Sequence, residues 1–160
     1  MRSLNWIIRK SKKLSAHTFL EEILKPLDEY IESYNWILSD IEGGGDLSQL
    51  PIDYEQDYFK LSPEEFRKIL NSHFQFYWGT ILAVPTSLDI KVDEDNSPYT
   101  EGNNLIWENG NIQYPDGEIE IDCFDSGYTI VKFTNEILSE KFKNYFDEAI
   151  TLDEFKSKYS

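Results

Sequence analysis

Only one cysteine, Cys123, and two histidines, His17 and His73, occur among the 160 residues. A lone cysteine closes no internal disulfide, so the chain is not a disulfide-stapled secreted scaffold. Two distant imidazoles and one thiol fall short of the roughly four closely spaced ligands that zinc takes, so no metal is expected. Long apolar runs are also missing. Arg2, Arg9, Lys10, Lys12 and Lys13 lead into no continuous hydrophobic segment, and a signal peptide or membrane span needs one. The expectation is a cytoplasmic protein with no membrane association.

Positive charge is scarce: 15 Lys and Arg stand against 30 Asp and Glu, a net charge of −15. The few cations cluster. Residues 1–25 hold six basic and two acidic groups, a balance of +4, while the other 135 hold nine and 28, a balance of −19. Such a surface repels phosphates and anionic lipid and attracts basic partners, so no nucleic acid is expected as a ligand. The same charge also serves solubility. What is plentiful is aromatic: 15% of residues, within 40% hydrophobic, which excludes a disordered acidic tail. A chain of this length fits one domain, residues 1–160, with about 70% of its unfolded surface buried.

The hydrophobic pattern reads as alternating strands and helices. Residues 4–9 form a short strand. Ser15 offers an N-cap to a helix marked by Phe19, Leu20, Ile23, Leu24, Leu27 and Ile31, which Pro26 should kink or divide. Residues 34–41 read as a strand, and Gly43, Gly44 and Gly45 as a loop. Residues 58–61 make a brief strand. Ser62-Pro63-Glu64-Glu65 is a capping box with proline at the first helical position. The helix it opens carries Phe66, Ile69, Leu70 and His73 on one face. Residues 74–84 are a buried strand ended by Pro85, with 86–92 beside it and a surface loop over 93–104.

Asn109-Gly110 predicts a hairpin turn between 105–107 and 112–114. A second hairpin joins 118–124 to 128–134, with Ile121 opposite Val131, Ile119 opposite Phe133, and Glu120 opposite Lys132 on the other face. A helix over 135–149 and a Thr151–Glu154 capping box close the chain. The fold class is α+β, a mostly antiparallel sheet with helices packed on one face.

Few residues offer chemistry. The acidic run at Asp89, Asp93, Glu94 and Asp95 suggests calcium, but Pro98 stands where an EF-hand loop needs glycine and Asn104 where it needs glutamate. The glycine run lacks the lysine of a phosphate loop. Cys123 shares the apolar face of its strand with Ile119 and Ile121, which makes it a small buried hydrophobe. No cofactor or nucleophile motif is present. Strand alternation places Glu118, Glu120 and Asp122 on one face, about 7 Å apart in succession. That stripe reads first as a solvated face, then as a docking surface, and last as a catalytic carboxylate pair. Trp6, Trp36, Trp78 and Trp107 fall in strands, any exposed one being a natural binding anchor.

Three stretches carry a resemblance: Phe19-Leu20-Glu21-Glu22-Ile23-Leu24-Lys25-Pro26, Tyr34-Asn35-Trp36-Ile37-Leu38, and the strand–turn–helix close from Glu118 onward. Together they resemble small acidic bacterial proteins in the style of immunity proteins encoded beside polymorphic toxins. Leu50-Pro51-Ile52-Asp53-Tyr54 is similar to the Leu-Pro-x-Asp-Tyr motif of the yeast cell-wall regulator and immunity superfamily, without the glycine-rich motif that follows there. The resemblance implies a non-enzymatic binding protein that masks a basic toxin such as a nuclease. Glu118, Glu120, Asp122, Asp93 and Asp95 are the expected contacts. The alternatives are a carbohydrate- or small-molecule-active enzyme using carboxylates, and a structural or regulatory subunit.

Overall fold

The computed structural model describes residues 4–9, 11–14, 19–44, 58–72, 74–91, 97–125 and 127–159. Seven strands form one antiparallel sheet in the order β3-β2-β4-β5-β6-β1-β7. They are β1 (Asn5–Ile8), β2 (Tyr34–Gly44), β3 (Tyr58–Leu61), β4 (Gln75–Pro85), β5 (Ile119–Phe124), β6 (Tyr128–Phe133) and β7 (Ile150–Thr151). With α1 (Leu20–Ile23), α2 (Pro63–Asn71), α3 (Glu136–Tyr145) and α4 (Leu152–Tyr159), the architecture is α+β, as the pattern predicts. The β5–β6 register is also the expected one, from Ile119 opposite Phe133 to Phe124 opposite Tyr128.

One sheet face is covered by helices. Trp36, Leu38, Ile81, Ala83, Ile119, Ile121, Cys123, Val131 and Phe133 pack there against Leu20, Leu27, Phe66, Phe142 and Phe146. Each large side chain so buried contributes about 1.5–3 kcal/mol. Trp36 stacks on Phe66 with ring centroids 4.0 Å apart. Pro26 divides the first helical stretch as expected: α1 stops and a 3₁₀ helix, Lys25–Ser33, follows. The capping box of α2 is complete, with the Glu65 amide donating to Ser62 Oγ (3.2 Å) and the Ser62 amide to Glu65 Oε1 (2.9 Å). Asn135 caps α3. At Thr151 half of the expected box forms, the Glu154 amide donating to its hydroxyl. Ser15, His17, Gly45, residues 50–54 and His73 lie outside the described residues.

The other face departs from expectation. It is not open to solvent. Residues 97–117 lie across it, joined by α4, and seal two further apolar clusters. Ile106 and Leu152 pack on Ile7 and Ile130; Tyr114 packs on Ile37, Leu82 and Val84. The hairpin expected over 105–114 is therefore absent. Asn104–Trp107 is a 3₁₀ turn that points Ile106 into the core, so Trp107 is not on a strand. Gly110 still adopts the left-handed conformation its turn signal implies, φ +85°. Residues 86–91 likewise make a turn and no paired strand.

Gly43 and Gly44 are strand residues, not a loop. β2 and β4 slip register between Ser39 and Gly43, with Asp40 at φ 58°. Gly43 then crosses so close to β4 that a Cβ would lie 2.3 Å from Gln75 O and 2.6 Å from the Phe74 ring. Gly43→Ala should cost about 1–3 kcal/mol, the ordinary penalty of overpacking, read as a lower urea midpoint with unchanged slope.

Candidate functional site

The covering segment has almost no regular structure; isolated turns pair some of its peptide groups, such as the amides of Glu108 and Asn111, and others need partners from elsewhere. The sheet supplies them. Two rows of side chains run across the covered face: Ile37, Leu82, Glu120, Lys132 and Asn5, then Ser39, Thr80, Asp122, Ile130 and Ile7. All ten are buried. Lys132 donates its three ammonium hydrogens to the carbonyls of Leu105 (3.3 Å), Glu108 (3.3 Å) and Asn111 (2.9 Å). Asn5 Oδ1 accepts from the Gly110 amide at 3.1 Å. Glu120 Oε1 accepts from the Gln113 amide at 2.7 Å. At the other end the Ser39 hydroxyl donates to Pro98 O, and Thr100 Oγ1 to Gly79 O at 2.8 Å.

Glu120 and Asp122 are thus neither a solvated stripe nor an accessible docking surface. Both are 0% exposed. Burial is the first cause that pushes the Asp122 carboxyl well above the usual carboxylate range, followed by the charge of Glu120 and a hydrogen bond with it. Glu120 Oε2 and Asp122 Oδ2 accept from no N–H or hydroxyl among the described residues. Lys132 Nζ lies 3.8 Å from Glu120 Oε2, so a lysine and two carboxyls meet in the sealed seam. Glu118 stands apart from them. It precedes β5, and its carboxylate accepts from the Tyr34 hydroxyl at 3.1 Å; burial first, then the charge of Glu118 and this hydrogen bond, raise the pKa of that phenol. Asp93 and Asp95 lie outside the described residues. Cys123 is buried beside these acids but on the helical face, and burial raises its thiol pKa.

The groups that do reach solvent sit on the outside of the cover. Tyr99 and Leu105 are 46% and 45% exposed. They border an open cleft of about 570 Å³ whose walls include Asn103, Asn111, Ile112 and Gln113. Gln113 holds its shape: its Oε1 accepts from the Tyr99 amide (3.0 Å) and from Asn103 Nδ2 (3.1 Å). Exposed Glu101 and Glu108 are carried on the same turns. Sequence reading missed Tyr99 and Leu105, one assigned to a loop and the other to a strand. A second cleft, about 680 Å³, lies on the helical side and mixes Lys13, Lys25 and Arg67 with Glu21, Glu22 and Asp28. Its Arg67 is ion-paired with Asp28 and Glu32, so it presents no field of one sign. Among the described residues no cluster of three or more potential metal ligands occurs, and no helix is long and apolar enough to cross a membrane.

No protein-family model, curated protein or solved structure matches this chain. The site must speak through its own chemistry.

Two outcomes test the seam. Lys132→Met leaves Glu120 charged and unpaired in the interior, and should cost about 3–5 kcal/mol. Adding Glu120→Gln should recover at least about 1 kcal/mol of that loss in a double-mutant cycle followed by urea unfolding. Asp122 has a folded pKa above its unfolded value of 3.8. Its contribution is fully present below that value and is lost as pH rises through the folded one. As pH rises above the unfolded value of 3.8, the urea midpoint should therefore fall. Asp122→Asn, which keeps a donor for Glu120 and an acceptor for Thr80, should lessen the fall. General charge repulsion acts on both proteins alike, so equal slopes would refute the assignment.

Proposed function

We propose that the chain is a non-enzymatic acidic binding protein that occupies a basic protein partner, in the manner of an immunity protein masking a basic toxin such as a nuclease. The observation that carries this reading is the outer face of the cover: exposed Tyr99 and Leu105 bordering a cleft, with exposed Glu101 and Glu108 on the same turns. An exposed tyrosine within a polar rim is in keeping with a protein-binding hot spot, where tyrosine is enriched. The net charge of −15 steers cationic partners toward it and repels phosphate backbones. Carboxylates placed over a nuclease's cationic groove would exclude its substrate by occupancy alone, with no chemistry required. The sealing of Glu120 and Asp122 weighs against the carboxylate-enzyme alternative, because a substrate would have to displace the whole cover.

Tagged protein passed over source-cell lysate should retain a basic protein at low salt. The affinity of the purified pair should fall by about tenfold or more between about 50 and about 200 mM salt, as expected for several screened charge contacts. Glu101→Lys/Glu108→Lys should weaken it further. A retained partner that is acidic, or whose affinity ignores both salt and charge reversal, would sink the proposal.

A further inference from the structure

The polar ties between cover and sheet centre on a cluster with more acids than bases. Lys132 holds the carbonyls of Leu105, Glu108 and Asn111, and Glu120 holds the Gln113 amide. Asp122 Oδ1 accepts from Thr80 (3.1 Å), from Thr100 (3.4 Å) and from Gln113 Nε2 (3.5 Å). All three charged side chains are fully buried. With both carboxyls ionised, this sealed space would hold two negative charges against one positive. Its one ammonium is within ion-pair distance of Glu120 and already serves three carbonyls. A buried charge that lacks a counter-ion is costly, and water relieves it. The other groups around Asp122 offer no compensation. Thr80 of β4 and Asn5 of β1 are neutral; Asp40 of β2 holds the Thr100 amide (3.3 Å); Glu118 is bound by Tyr34; Cys123 faces the helices. On the cover, Tyr114 accepts at its hydroxyl from the Lys91 amide (2.9 Å), while Glu101, Glu108 and Asp116 are exposed, as are Asp153, Glu154 and Lys156 of α4.

We propose that residues 97–117 are a pH-sensitive cover, which the seam's excess of acid lifts from the sheet as one unit as pH rises, while the helical side stays packed. The division of the core allows this. The main hydrophobic cluster contains no residue of 97–117. Lifting the segment opens only the smaller clusters around Ile106 and Tyr114, and their apolar contacts keep the open form a minority. The segment's own peptide bonds close short local turns, so none ties it to the helical side. Asp122 supplies the linkage. Burial, then the charge of Glu120, raises its carboxyl above the unfolded value of 3.8. Its support of the closed cover is whole below that value and is lost as pH rises through the folded one. One proton released per opening multiplies the open fraction about tenfold per pH unit within that window. Tyr99 and Leu105 ride on the cover, so pH controls their presentation whatever they meet.

Amide hydrogen exchange of the intact chain, followed by NMR and corrected for the intrinsic chemistry of each amide, reads this opening. The series runs from about pH 5 to about pH 8, where exposed acids are already ionised. The amides of Gly110, Asn111 and Gln113 should share one opening constant, at least about tenfold larger than that of Leu38 and Ile81 in the β2–β4 ladder. They should also respond less to added urea, because lifting the cover exposes less surface than unfolding. Their constant should rise by about tenfold over at least one pH unit. Asp122→Asn and Glu120→Gln, each leaving one acid to one base, should hold the rise below about twofold per unit. Glu101→Gln/Glu108→Gln, which removes exposed acids of the same segment, should keep the parent's slope. Cover and ladder amides that exchange with one constant and one urea dependence would overturn the separate unit. A cover constant flat with pH, seam variants that keep the parent's slope, or surface variants that lose it would overturn the control by the seam. If neither seam variant folds, the parent and the surface variant decide between these outcomes.

Discussion

A buried ammonium holding three carbonyls of an irregular segment is the contact on which the second half of this fold depends. Helices and strands satisfy their own peptide groups; the stretch over residues 97–117 does so only in part, through isolated turns closed by the amides of Asn103, Ile106, Glu108, Asn111 and Gly117. Laid on a purely apolar sheet, its remaining carbonyls would be stripped of water and left unpaired, at a cost of about 1–3 kcal/mol each. Lys132 holds the Asn111 carbonyl and adds a second donor to those of Leu105 and Glu108, which also accept from the Glu108 and Asn111 amides. Its own charge then needs an anion, which Glu120 supplies from the adjacent strand. Beside Glu120, buried Asp122 has its carboxyl pKa raised, by burial first and then by the charge of Glu120, and it accepts from Thr80 and Thr100. Each polar group in the seam follows from the one before, starting from the decision to cover a sheet with loop.

That chain of causes explains what could be read in the sequence and what could not. The β5–β6 register was legible because a period of two admits only one pairing that keeps Ile119, Ile121, Val131 and Phe133 together. The capping box at Ser62 and the break at Pro26 were legible because both are decided within a few residues. The burial of Glu120, Asp122 and Lys132 was not, since a charged face under a loop and a charged face under water have the same spelling. One signal pointed the right way. β4 is apolar on both sides, with Leu82 and Val84 as well as Ile81 and Ala83. A strand of that kind needs cover on both faces, and β5 is hydrogen-bonded directly to it.

The misread hairpin has a related cause. Asn109-Gly110 does turn the chain, and Gly110 takes the positive φ that makes glycine useful there. Turn chemistry fixes only the turn. Whether the flanking residues pair depends on what else wants them, and here the pocket over Ile7 and Ile130 takes Ile106 while Lys132 takes the carbonyls of Leu105 and Asn111. The glycines after Ile41 show the converse. A run of three read as a loop because glycine weakens strands, yet Gly43 is in β2 because only a residue without Cβ fits so close to Gln75 and Phe74.

Two populations of acids emerge with different tasks. Those in the seam, Glu120 and Asp122, are fully buried beside Lys132 and reach no solvent. A perturbed carboxyl is often a mark of catalysis, but catalysis also needs solvent or substrate at the oxygen, and here the perturbation and the sealing have one origin. The acids that reach solvent are the exposed ones, Glu101 and Glu108 on the cover among them. Charge reversal in the seam would therefore damage folding and imitate a loss of binding, whereas charge reversal on the cover reads binding alone. Stability holds the cover in place, and the cover presents the anchors. Gln113 joins the seam to the outer cleft: its backbone amide donates to the sealed Glu120, and its side-chain Oε1 accepts from the Tyr99 amide and Asn103 Nδ2.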